Sequence, residues 1–211
     1  MENIIDIKPT TIIGDMKECY LTLDSWREFQ SRQGNYGSMD KEGKSNGTVK
    51  AFINGTPVDY VKIYSEAQAN SIKFLIDHQD KVRDNLLLGL LANFPNMKEI
   101  YEDYIPDILS IEQYKPLIGL STVHVMSSEK DDYAYIGFEL GCTWDEEHGV
   151  GVMMHKDRVV SVGQADESFN TWTTYKDNGT EEQQTKRWNE QHAHLKGDSK
   201  TKPWWKFWSN N

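Results

Sequence analysis

The chain has 211 residues, with 23 Lys and Arg against 33 Asp and Glu, a formal charge of −10 and a pI near 5.1. Hydrophobic residues make up 37%, enough for a core and too many for disorder along the whole chain. No apolar run approaches the ~18–20 residues of a membrane span. The negative charge disfavours nucleic-acid binding by the main body. Two cysteines, Cys19 and Cys142, are too few for a disulfide scaffold or a zinc site of their own. Met1–Asp6 lacks the basic and apolar regions of a secretory signal, so the expected location is the cytoplasm.

Charge is unevenly spread. From Lys186 to Trp208 there are six basic and two acidic residues, a net +4 that leaves −14 for the remainder, and four of the seven tryptophans. The expected organisation is a domain over residues 1–175, followed by a polar helix and a basic, Trp-rich tail over 176–211.

Along the chain, Tyr20–Leu23 reads as a short strand, and Asp24 or Ser25 caps a predicted helix from Trp26 to Gln33 that Gly34 stops. Gly34–Gly47 is polar and reads as a loop. Thr48–Ile53 and Pro57–Tyr64 are β-prone runs around Asn54-Gly55, the pair favoured in a type I′ turn, which predicts a hairpin. Ser65 and Gln68 form a capping-box pattern. Beyond it Ile72, Leu75, Ile76, Val82, Leu86, Leu87, Leu90, Leu91 and Phe94 recur at helical spacing, with a break expected near Gln79-Asp80 and an end before Pro95. Met97, Ile100, Tyr101 and Tyr104 suggest a short helix stopped by Pro106, and Ser110 with Gln113 repeats the capping box.

From Leu117 the period changes to two. Ile118, Leu120 and Thr122 alternate with smaller neighbours, Ser127–Asp132 reads as a polar turn, and Ile136, Phe138, Leu140, Cys142 and Trp144 share one face of a long strand. Val150, Val152 and Met154, then Arg158–Val162, complete a four-stranded antiparallel meander. Its apolar face is expected to pack on the Leu86–Phe94 stripe. The fold class is therefore α+β: an N-terminal hairpin, central amphipathic helices and a C-terminal meander. Thr180 with Gln183 is expected to open a last helix reaching about Leu195.

Candidate chemistry concentrates in Trp144-Asp145-Glu146-Glu147-His148-Gly149, three carboxylates and an imidazole in one turn. Three readings stand open: a capped turn in which Asp145 accepts backbone N–H bonds and Gly149 takes positive φ, a partner-binding surface that also uses Trp144, His155 and Arg158, or a cation site. The third would make a metal-dependent hydrolase of Asp145, Glu147, His148 and His155. Its spacing matches no established metal motif, so no metal or cofactor is expected. His192 and His194 point about 200° apart if helical and cannot share an ion. Cys142, on the inward face, reads as a small hydrophobe with a raised thiol pKa. In the tail, Trp204, Trp205, Phe207 and Trp208 among lysines have the composition of a membrane-interface anchor. The same residues also suit packing on the domain or docking in a partner groove.

Two stretches together carry a resemblance. Trp26-Arg27-Glu28-Phe29-Gln30-Ser31-Arg32-Gln33-Gly34-Asn35-Tyr36-Gly37-Ser38 with Ser45–Val49 is one. The other is Trp144–Val152, with Val150 where leucine is usual, followed by Arg158-Val159-Val160 and Gly163-Gln164-Ala165-Asp166. Over roughly Leu21–Phe169 the chain resembles a bacterial family common in gut Bacteroidetes, known mainly as a domain of unknown function. The resemblance implies almost no biochemistry. From the charge and the absence of a recognisable catalytic set, the expected function is a non-enzymatic cytosolic binding protein. It would be an immunity-type neutraliser of a basic protein such as a nuclease toxin, with the hydrolase and a membrane-peripheral adaptor as rivals.

Overall fold

Residues 11–13, 16–32, 43–55 and 64–192 are described by the computed structural model. Seven strands among them form one mixed sheet in sequence order: β1 (Thr11–Ile13), β2 (Met16–Thr22), β3 (Thr48–Ile53), β4 (Ile118–Lys130), β5 (Tyr133–Cys142), β6 (Val150–His155) and β7 (Arg158–Gly163). Every neighbouring pair is antiparallel except β3 and β4, which run parallel. Parallel strands need a long crossover, and here it carries α1 (Glu66–Asp77) and α2 (Gln79–Tyr101). The fold is α+β, as expected. The meander is not a free-standing four-stranded sheet, however, because β4 continues it across the parallel seam onto β3 and β2. The expected Asn54-Gly55 hairpin needs correction: both edges of β3 are taken, by β2 and β4, so β3 has no edge left for it, and its second strand lies outside the described residues. The chain divides after Thr174 into two units, Met1–Thr174 and Tyr175–Asn211.

Alternation assigns the sheet's faces. Leu21, Val49, Ala51, Ile53, Val123, Val125, Ile136, Phe138, Leu140, Val150, Val152 and Met154 bury one face in the same core as Ile72, Leu75, Val82, Leu86, Leu87 and Leu90 of the helices. Sheet and leucine stripe meet as the periodicities predict, and closely: a Cβ on Gly89 of α2 would lie 2.6 Å from Val159. The Ser65 hydroxyl accepts from the Gln68 N–H and the Gln68 side chain accepts from Ser65 N–H, completing the capping box. His78 separates α1 from α2, its ring stacked 4.4 Å from Phe74.

Four further expectations need correction. α2 does not stop at Pro95 but runs through it to Tyr101, since burial of Met97 and packing of Phe94 and Tyr101 on the core offset the lost backbone bond. The helix ends at Glu102, whose φ of +47° is rare for a residue with a Cβ. The predicted Trp26–Gln33 helix shrinks to a 3-10 turn, Asp24–Trp26. The Gln30 and Ser31 N–H groups are instead spent on the Ile118 and Gly43 carbonyls, leaving the segment extended. Ser127–Lys130 belongs to β4 rather than to a turn, and only Asp131 and Asp132, at φ +49° and +65°, make the reversal. Finally, the Thr180 hydroxyl bonds Asn178 rather than capping α4 (Glu181–Gln191), whose C-cap is His192; Leu195, the expected end, lies outside the described residues. Between β7 and α4 lie a 3-10 turn, Ala165–Phe169, and α3 (Thr171–Asn178).

The sheet's other face is shaped by glycines. Gly151 stands between Glu139 and Gly163, and Gly137 beside Met153. The Ala165–Phe169 turn sits directly on them, and a Cβ on Gly137 would lie 1.5 Å from the Ser168 carbonyl oxygen. The cover is fastened where Ser128 Oγ donates to Thr174 Oγ1 at 2.6 Å. Over β2 and β3 the same face carries the half-buried Met16, Glu18, Lys50 and Phe52 and the exposed Tyr20.

Candidate functional site

The Trp144–Gly149 corner is a capped turn. Asp145 Oδ1 accepts from the His148 N–H at 3.0 Å and lies 3.1 Å from its ring Nδ1, while Gly149 N–H donates to the Asp145 carbonyl at 2.9 Å. Gly149 takes φ +64°, and a Cβ there would press within 2.6 Å of the Leu140 carbonyl. Trp144, placed by the strand pattern on the inward face and by the partner-surface reading at a contact, is a core residue at 6% exposure, because it continues the inward row of β5. Asp145 and Glu146 are half-buried, and Glu147 and His148 are exposed. Cys142 beneath the turn donates its thiol to the Asp145 carbonyl, and burial pushes its pKa up to about 12, out of nucleophilic range.

His155 and Arg158 do not join this corner. β6 leads away from the turn, so roughly 17 Å of strand separates Val150 from His155, whose Nε2 meets the Lys130 carbonyl at 2.8 Å while its ring packs on Tyr135. Arg158 pairs with His155 at that far end. The proposed hydrolase set is thus not assembled, and among the described residues no three His, Cys, Asp or Glu side chains are grouped to hold a metal ion. Trp204, Trp205, Phe207 and Trp208 lie outside the described residues.

The end of α2 meets the corner instead. The Tyr101 hydroxyl faces the side chains of Asp145 and Gln164; burial first, then the Asp145 carboxylate, pushes the phenol pKa to about 12. Burial alone would raise the Asp145 pKa. The His148 N–H, the Tyr101 hydroxyl and the His148 ring together hold it below its ordinary 3.8. A depressed carboxyl contributes stability that is fully present above the ordinary pKa and lost as pH falls through the folded value. Asp145→Asn is therefore expected to cost about 1–2 kcal/mol at pH 7. Urea melts of both proteins should show that gap closing below about pH 3.8; a gap constant down to pH 2 would refute the assignment.

A second site, missed by the sequence reading, lies on the face shaped by glycines. The register of β4 slips between Leu120 and Thr122, so that Ser121 is an extra residue. This bulge turns Thr122 and His124 out of the alternation that Ile118 and Leu120 begin, and bulges commonly re-aim side chains in this way. His124 Nε2 then meets Glu139 Oε2 at 3.0 Å, while Ser121 Oγ donates to the Glu139 carbonyl at 3.0 Å. The His124 ring stacks on Phe52 and tilts against Phe169, with centroids 5.8 and 5.1 Å away. Beside it opens a cleft of about 480 Å³. An imidazole between Val123 and Val125 on β4 and a lone carboxylate on the largely apolar β5 were the available signal.

These elements all fall in one matched stretch, since the family described as domain of unknown function (DUF6985) matches residues 20–169. The chain belongs to that family. It is a family of unknown function, as the resemblance implied, and its span nearly coincides with Leu21–Phe169. No match was found among curated proteins or among solved structures. The DUF6985 segment contains most of the sheet, both long helices and the turn that seats on the glycines. No helix among the described residues is long and apolar enough to cross a membrane.

Proposed function

We propose that this DUF6985 protein is a non-catalytic binding protein that captures a basic protein partner at the corner where α2 meets the Trp144–Gly149 turn. The observation that carries the reading is the approach of the Tyr101 hydroxyl to the Asp145 carboxylate. It joins the acidic turn to a second acidic stretch, where Glu99, Glu102, Asp103 and Asp107 are exposed and Lys98 pairs with Asp107 at 3.3 Å, leaving the stretch net negative. Among these carboxylates Ile100, Tyr104 and Leu109 stand 70%, 81% and 83% exposed, while Ile105 and Ile108 between them anchor the backbone in the core. Apolar side chains ringed by like charges are the composition of an interface with a polar rim: the aromatic and aliphatic groups supply buried area, and the charges steer encounter. An immunity-type role, covering a cationic toxin, follows from the same chemistry.

The test is affinity capture from native lysate, comparing the parent with Tyr104→Ala combined with Glu102→Lys, Asp103→Lys and Glu147→Lys. Support is a stoichiometric protein of basic pI that the parent retains, that raised salt weakens, and that the corner variant loses while Glu181→Lys/Glu182→Lys keeps it. Equal retention by the corner variant, or capture only of neutral or acidic proteins, would discard the reading.

A further inference from the structure

The cleft beside His124 is separate from the acidic corner and uses different chemistry. Its walls include Met16, Phe52, Met126 and Phe169, apolar groups with aromatic faces and polarisable sulfur, and its polar groups include His124 and Asn54. At about 480 Å³ it falls within the range of small-molecule sites.

Among the described residues, two buried polar atoms there have no hydrogen-bond partner: His124 Nδ1 and Asn54 Oδ1. His124 is only 7% exposed, so its free nitrogen is not simply turned to bulk water. Its chemical sense is set by the other side of the ring. A carboxylate only accepts, so the contact with Glu139 Oε2 places the imidazole proton on Nε2. No acceptor among the described residues lies within reach of Nδ1, so with the proton on Nε2 the Nδ1 atom presents its lone pair. Asn54 Oδ1 is also an acceptor, and the amide's Nδ2 is turned to Met126 Sδ at 3.5 Å. Asn54 lies two residues beyond Phe52, which pairs with His124 across the parallel seam. The two acceptors are therefore offset by about one strand repeat, ~7 Å. Leaving such atoms unpaired costs about 1–3 kcal/mol each, a cost that a fitting ligand removes.

We propose that this cleft binds a small planar nitrogen heterocycle that donates N–H hydrogen bonds, stacking on Phe52 and Phe169 and donating to His124 Nδ1 and Asn54 Oδ1. Acceptor-edged aromatic molecules of the same size are excluded, because they would set lone pair against lone pair. The Ser121 bulge, which turns His124 to this face, and Glu139, which fixes the tautomer, are the positioning groups.

The test uses the unmodified full chain, with 2-aminobenzimidazole as the donor probe and benzoate as a flat, acceptor-only control. In NMR titrations the expected result is saturable shifts from 2-aminobenzimidazole at Phe52, Asn54, His124 and Phe169, with the His124 Nδ1 nitrogen resonance moving as its lone pair accepts. Benzoate should give at least tenfold weaker shifts. His124→Phe, which keeps a ring and removes the acceptor, is expected to weaken binding at least tenfold. Asn54→Leu does the same for the second acceptor and serves if the first variant fails to fold. Comparable binding of benzoate, an Nδ1 resonance unmoved at saturation, or no saturable shift at these residues would overturn the proposal.

Discussion

Gly137→Ala is expected to lower stability by about 3 kcal/mol, a fall in Tm of roughly 6–12 °C for a chain of this size. The sign is the informative part. In an ordinary strand, replacing glycine with alanine restricts the unfolded chain and gains about 0.4–1 kcal/mol. Here the new Cβ would lie 1.5 Å from the Ser168 carbonyl oxygen and 2.4 Å from its carbon. No rotamer can relieve a clash with backbone, so either the sheet or the Ala165–Phe169 turn must move. The turn is the weaker side, seated on the sheet and held beyond it by the Ser128–Thr174 bond. Amide exchange should therefore accelerate first in residues 165–174, ahead of any change in the helices. Gly163→Ala, whose Cβ would meet only the Glu167 side chain, at 3.0 Å, should cost distinctly less. A Gly137→Ala protein as stable as the parent would mean that the turn does not rest on the strand as described.

Phe138→Ala, one residue along, is expected to cost about 3–5 kcal/mol. Phe138 is 1% exposed and stands between Val123 and Val152 on the helix-facing side. Removing its ring leaves a cavity among groups that β-branched neighbours cannot readily fill, so the lost transfer energy and the cavity add. Because this core joins α1, α2 and the sheet, exchange protection should fall across all three together. Phe138→Leu should recover most of the loss by keeping most of the apolar volume. A denaturant midpoint unchanged by Phe138→Ala would contradict its place in the core.

Local rules made much of this legible. The Ser65–Gln68 and Ser110–Gln113 boxes form where a hydroxyl precedes an amide by three residues, and the leucines of α2 bury as their spacing dictates. What escaped depends on residues distant in sequence. Pro95 stays helical because Met97 and Tyr101 find a core beyond it. The Trp26 segment stays extended because its amides find Ile118 and Gly43. Nothing near β3 announces a parallel partner 65 residues further on. The acidic turn was visible because its residues are contiguous. Its companion Tyr101 was not, and neither was the His124–Glu139 pair, which needs a bulge at Ser121 to face one way.

The parallel seam also governs how the chain is made. β4 begins only at Ile118, whereas β3 ends at Ile53, so during synthesis the first three strands emerge well before the one that completes their sheet. Through that interval α1 and α2 emerge but β3 keeps a bare hydrogen-bonding edge on the side that β4 later takes, the condition under which nascent strands pair wrongly with other chains. Translation speed across α1 and α2 thus sets how long the newborn N-terminal third remains vulnerable to clumping.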